Sequence, residues 1–113
     1  MREPTFWILT ALAGRARHGY GVIQEVSALS DGQVVIQAGT LYAALDRLTA
    51  EGLVAVDHDE IVDGRNRRYY RLTDPGVTAL DAETQRLQRN ARTARRQLSA
   101  RRPHGAGPVL GSA

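Results

Sequence analysis

Apolar residues recur at intervals of three and four along the N-terminal half of the chain and then, past Gly52, at every second position. The first regime predicts helices and the second predicts strands. In residues 5–13, Ile8, Leu9 and Leu12 share one side of a helix that Pro4 and Thr5 open and Gly14 closes. A second helix spans 19–29 with Tyr20, Ile23 and Val26 on one face, and the turn residues Ser30, Asp31 and Gly32 end it. The third covers 39–51. Taken at 100° per residue, its Leu41, Ala44, Leu45 and Leu48 gather on one side while Gly39, Ala43, Asp46, Arg47 and Ala50 face away. Beyond Gly52, Leu53, Val54 and Val56 start a strand that fades into the polar "DHDE". A second strand, "RRYYRLT", sends Tyr69 and Tyr70 to opposite faces and returns Leu72 to the core. The Asp63-Gly64 pair between them predicts an antiparallel hairpin, with a loop longer than the tight two-residue kind.

A last helix opens at "LTDPG", where Thr73 can cap the free amides, Asp74 suits the positive helix end and Pro75 fits the first turn. Its span, 74–101, is on the order of 40 Å. Val77, Leu80, Thr84, Leu87, Ala91, Ala94 and Leu98 follow one another at alternating steps of three and four, which is a heptad seam. Such a helix is too long for a three-helix core to cover, so a second copy of the chain is the expected partner, with Phe6 of the first helix adding contact. The Gly- and Pro-rich residues 102–113 are expected to be a disordered tail.

Three short helices followed at once by a hairpin make a winged helix-turn-helix. The predicted fold is mainly α with a small β-hairpin: a DNA-binding domain over 1–73 and a dimerisation helix over 74–101.

Charge sharpens this picture. Residues 1–64 carry four arginines against nine acids, and residues 65–113 carry eleven arginines against three. Every basic side chain is arginine, whose planar fork suits phosphate and guanine. Arg65, Asn66, Arg67 and Arg68 crowd the hairpin, where an adjacent phosphate backbone or minor groove would lie. On the third helix, Gln37, Thr40, Tyr42 and Arg47 would supply polar contacts to double-stranded DNA, and the small Gly39 and Ala43 would permit close approach. One of Tyr69 and Tyr70 must face outward, where its hydroxyl can reach a phosphate, and Tyr69 counts with the DNA contacts.

Other chemistry finds no support. With no cysteine there is no disulfide, thiolate metal site or cysteine nucleophile. No catalytic set, metal-ligand spacing or cofactor-binding loop stands out, so no catalytic residue, metal or cofactor is expected. The apolar run "FWILTALA" falls well short of the roughly 20 residues needed to span a bilayer, so no membrane association is expected and the cytoplasm is the default location.

Three stretches, "HGYGVIQEV", "GTLYAALDRLTAEGLV" and "RRYYRLTDPGVTAL", together resemble the PadR family of bacterial transcriptional regulators, in order and spacing, over about residues 6–90. The resemblance implies repression by operator binding, relieved by an effector. It matches Gly39, Thr40, Leu41 and Tyr42 to the start of the recognition helix, Arg68, Tyr69 and Tyr70 to the wing, and the single C-terminal helix to the family's short branch. It also implies a small aromatic effector at the dimer centre, near Phe6, Trp7, Leu80 and Leu87. Ala43 and Asp46 stand where family members often carry basic residues, which shifts the expected positive contact to the wing. The rival reading is a self-associating interaction module whose arginine-rich helix binds an acidic protein or RNA; the hairpin directly after the third helix, which such a module does not need, favours the regulator.

Overall fold

A computed structural model describes residues 1–101, arranged as α1 (Glu3–Gly14), β1 (Arg17–His18), α2 (Gly19–Leu29), α3 (Ala38–Ala50), β2 (Val54–Val62), β3 (Arg65–Leu72) and α4 (Asp74–Ala100). Residues 1–83 form one compact unit, and α4 continues beyond it. The tail 102–113 lies outside the described residues.

The core of the N-terminal unit is built from the helix faces that periodicity selects. Ile8, Leu9 and Leu12 of α1, and Leu41, Ala44, Leu45 and Leu48 of α3, are all buried. On α2 the buried line is Gly19, Val22 and Val26, with Ile23 half-buried beside it, whereas Tyr20 is 62% exposed. The sequence places Tyr20 on the core face; in the fold it stands off that face, because Val22 and Val26 lie a full turn apart and set the stripe. Ser30 closes the α2–α3 connection: its Oγ accepts a hydrogen bond from the Val34 amide at 3.0 Å. Asp31 and Gly32 take φ of 53° and 76° there, so the chain reverses sharply.

The hairpin differs from expectation in two ways. First, β2 does not fade at Asp57 but runs to Val62, and a two-residue turn follows in which Asp63 and Gly64 both have positive φ, 53° and 76°. This is the geometry that matches the natural twist of paired strands, so the loop is the tight kind rather than the longer one. The polar segment stays extended because it pairs with β3 along its length, and Arg68 donates across the ladder to Asp59. Second, the sheet has three strands in the order β1-β3-β2, all antiparallel. Arg17 pairs with Tyr70 and His18 with Tyr69, a contact too short to show any alternation in sequence. An irregularity between Val56 and His58 leaves Asp57 without an opposite residue.

Thr73 joins the hairpin to α4. Its Oγ1 accepts from the Gly76 amide at 3.1 Å and donates to the Gly52 carbonyl at 2.7 Å. The helix therefore starts from a fixed point on the sheet. Gly76 is buried against the Leu53 carbonyl oxygen, leaving no room for a Cβ. On α4 itself, Leu80 packs against the core, whereas Val77, Leu87 and Leu98 are exposed in the single chain.

Candidate nucleic-acid interface

The N-terminal turn of α3 presents backbone and small side chains to solvent. Gln37, Gly39, Thr40 and Ala43 are all exposed, and no side chain caps the helix start. A Cβ built on Gly39 would meet nothing within 4 Å, so this glycine is not demanded by internal packing. Uncapped amides at the positive end of a helix favour an approaching anion.

Tyr42 departs from that turn and lies over the beginning of α2. A Cβ at Gly19 would run into the Tyr42 hydroxyl and ring, so the contact exists because position 19 has no side chain. Tyr42 remains 49% exposed. It forms one wall of a cleft of about 680 Å³, with His18, Gly19 and Tyr20 beside it and Arg65, Asn66, Arg67 and Arg68 of the hairpin facing it. Tyr70 forms part of the lining and is otherwise buried; desolvation pushes its phenol pKa up.

The charges on the hairpin are unevenly balanced. Arg68 Nε donates to Asp59 Oδ1 at 3.2 Å, and Arg71 Nε lies 3.8 Å from Asp57 Oδ1. Among the described residues no acid lies within ion-pair distance of Arg65 or Arg67. Next to these, His58 Nδ1 is 2.6 Å from Asp57 Oδ2 and its Nε2 is 3.2 Å from Glu60 Oε1. Both nitrogens can donate only when the ring is protonated, and the hydrogen bond to Asp57 raises its pKa above the usual value of 6.5. His18 behaves oppositely: burial, then the Arg67 charge, lowers its pKa, against a smaller pull from Glu60.

The fold thus collects Tyr42, Arg65, Asn66, Arg67 and Arg68 around one cleft and leaves Gln37, Gly39, Thr40 and Ala43 exposed at the start and over the first two turns of the same helix. Two residues selected from sequence lie elsewhere. Arg47 donates from Nη2 to Thr5 Oγ1 at 2.9 Å and so ties α3 to α1 at a separate hollow. Tyr69 faces away from the cleft, stacked on His58 at 4.4 Å with interplanar angle 10° and edge-on to His18 at 5.3 Å. Periodicity does not single out Tyr20 and His18 for the lining; the β1 pairing, which brings the start of α2 against β3, is what places them there.

The model of the Transcriptional regulator PadR-like family matches residues 8–82. The chain belongs to this family. Transcriptional regulator Rv3488 of Mycobacterium tuberculosis is 41% identical over 85 residues, covering 75% of this chain and 76% of that protein. Among solved structures, a PadR-like transcription factor from Bacteroides fragilis superposes with a TM-score of 0.70 at 25% identity, covering 82% of this chain and 87% of that one. PadR of Bacillus subtilis, solved in complex with operator DNA, has a TM-score of 0.66 at 23% identity; the match covers 74% of this chain and 47% of that chain. The winged-helix architecture is therefore that of PadR-like regulators, and the family is one of transcription regulators rather than enzymes. Among the described residues no helix is long and apolar enough to cross a membrane.

The C-terminal seam and the aromatic pair complete the sequence-selected residues. Phe6 and Trp7 are half-buried and meet edge-on at 5.4 Å, and Trp7 packs against the core. Thr84 is half-buried, and Leu87, Ala91, Ala94 and Leu98 are exposed.

Proposed function

We propose that this PadR-like chain is a homodimeric repressor that binds an inverted-repeat operator in double-stranded DNA and is released by a small aromatic effector. The observation that carries the reading is the joint placement of Tyr42 of α3 and the arginine-bearing hairpin around one cleft, with the start of the same helix open to solvent. A helix with exposed small residues can enter a major groove, and a rigid basic projection beside it can hold the flanking phosphates. In this reading residues 1–73 grip DNA, with Gln37, Gly39, Thr40, Tyr42 and Ala43 at the groove and Arg65, Asn66, Arg67 and Arg68 at the backbone. Residues 74–101 pair two copies through Val77, Thr84, Leu87, Ala91, Ala94 and Leu98. Phe6, Trp7 and Leu80 supply the apolar surface for an effector. Such a ligand acts only if it prefers an arrangement of the two copies that does not fit the operator.

Footprinting on the DNA flanking the protein's own coding region tests the reading. A two-fold symmetric footprint is expected, with half-sites about one helical turn, near 34 Å, or a multiple of it apart. Inserting five base pairs at its centre should abolish protection, and indifference to the insertion would sink the symmetric-dimer reading. The footprint repeated with aromatic compounds, while the emission of Trp7 is followed, tests release: compounds that clear the operator without changing Trp7 emission would place the effector elsewhere.

A further inference from the structure

From Thr84 to the end of the chain there is no acidic residue, while arginine stands at 86, 89, 92, 95, 96, 101 and 102. Within α4 three of them gather on one face, while Arg86 and Arg95 flank the apolar seam. At 100° per residue Leu87, Ala91, Ala94 and Leu98 fall within about 60° of one another, and Arg89, Arg92 and Arg96 cluster about 160° around from them. The apolar seam and the arginine row therefore occupy opposite faces of one helix. Pairing two copies along the seam covers the first and leaves the second open. Every residue from 85 to 101 is exposed in the single chain.

This row is electrostatically unfavourable on its own. Arg89 and Arg92, Arg92 and Arg95, and Arg92 and Arg96 are spaced three or four apart, so like charges sit as neighbours on the helix surface. The polar contact made within the row is weak compensation: Arg96 Nη2 donates to Thr93 Oγ1 at 3.2 Å. An anionic partner would relieve the repulsion. Three guanidinia spread along about 10 Å of a straight helix can each reach a phosphate of a regular backbone.

We propose that the arginine face of α4, centred on Arg89, Arg92 and Arg96, is a second and sequence-independent surface for duplex DNA. The inference rests on the DNA-binding reading above for its choice of polyanion. Charge complementarity supplies the attraction. The gain comes from valency: a surface too weak to hold DNA alone adds strongly once the same protein is already on DNA, because the second contact is intramolecular or locally concentrated. Arginine suits the task, since its fork binds phosphate in a fixed geometry and never loses its charge.

The test uses the full chain and a non-operator duplex of about 30 base pairs, with affinity measured across a range of salt. The triple variant Arg89→Gln, Arg92→Gln, Arg96→Gln should bind this duplex several-fold more weakly. Its salt slope should flatten by up to about 0.9 for each phosphate that the variant no longer neutralises. Replacement of the same three residues by lysine should keep most of the slope. Helicity by circular dichroism and dimer content by sedimentation, both unchanged, guard against a folding effect, and a loss of either moves the test to the single substitution Arg92→Gln. A glutamine variant with the wild-type slope and affinity overturns the inference, as it would if the row serves an acidic protein or RNA instead. Failure of the DNA-binding reading looks different: there the hairpin substitution Arg67→Ala leaves operator binding unaltered.

Discussion

A methyl group at position 19 would meet the Tyr42 ring, and two opposed effects decide what it does. Glycine in a helix interior costs roughly 0.5–1 kcal/mol relative to alanine, and less at the first helical position that Gly19 holds. By that measure alone, Gly19→Ala should stabilise. Forcing an extra carbon into an occupied site costs about 1–3 kcal/mol, and the site here is occupied by the ring that walls the cleft. Sterics should win. Gly19→Ala is expected to lower stability in urea denaturation by about 1 kcal/mol or more. The same change made in a Tyr42→Ala background should be neutral or stabilising, because the obstacle is gone. Equal destabilisation in both backgrounds would mean that Tyr42 does not rest on Gly19.

At the scale of the element, the hairpin carries its own titration. His58 bridges Asp57 and Glu60, and its raised pKa means that protonation is favoured in the folded state. A group raised on folding contributes fully below its unfolded value, about 6.5, and the contribution disappears as pH climbs through the folded value. His58 is solvent-exposed, so the effect on stability is small, but the proton adds one positive charge to the hairpin whose arginines are proposed to hold phosphate, on its face away from the cleft. Duplex affinity should therefore fall as pH rises through the raised pKa, and His58→Gln should remove that part of the profile. His18, whose pKa is lowered, weakens stability in the opposite direction as pH falls below about 6.5, so the comparison between the two proteins isolates His58. A His58→Gln profile identical to the wild type would rule this out.

The hairpin also marks where sequence stops being readable. The helices were legible because Leu41, Leu45 and Leu48 announce a buried face by spacing alone. The polar half of β2 was not, since its extension depends on arginines of β3 that only the register brings opposite. For the same reason Arg47 resembles a groove contact in the sequence: helical angle puts it on the outer side, but its long side chain reaches Thr5 on α1. Alternation separates Tyr69 from Tyr70 correctly; which of them faces the cleft is decided by the sheet.

For the whole molecule the decisive quantity is what a single copy leaves uncovered. Leu87 and Leu98 of α4 are 41% and 53% exposed, an unusual outcome for leucines at heptad positions unless another surface meets them. Leu87→Asp should leave the N-terminal unit folded, since the side chain is not part of its core, yet it would bury a carboxylate in any paired seam. A penalty of about 3 kcal/mol corresponds to roughly a hundredfold weaker self-association. Sedimentation should show dimer for the wild type and monomer for the variant at tens of micromolar, as an order of magnitude. Operator binding should fall with it. A variant that remains dimeric would move the interface away from the seam.

The short pairing of Arg17 with Tyr70 brings together residues 53 positions apart, by 70 − 17, whereas Val62 and Arg65 close the hairpin across a two-residue turn. Closing the longer loop costs roughly 2.5 kcal/mol more in chain entropy, so the hairpin can form by itself within microseconds while its attachment to β1 must wait. On a ribosome the delay is longer still. At about 5–20 residues per second, Arg17 and His18 emerge roughly 3 to 10 s before the strand that pairs with them. The floor of the cleft is thus assembled late, when β3 docks beside a segment made long before it, and α1 to α3 must hold that segment in place until then.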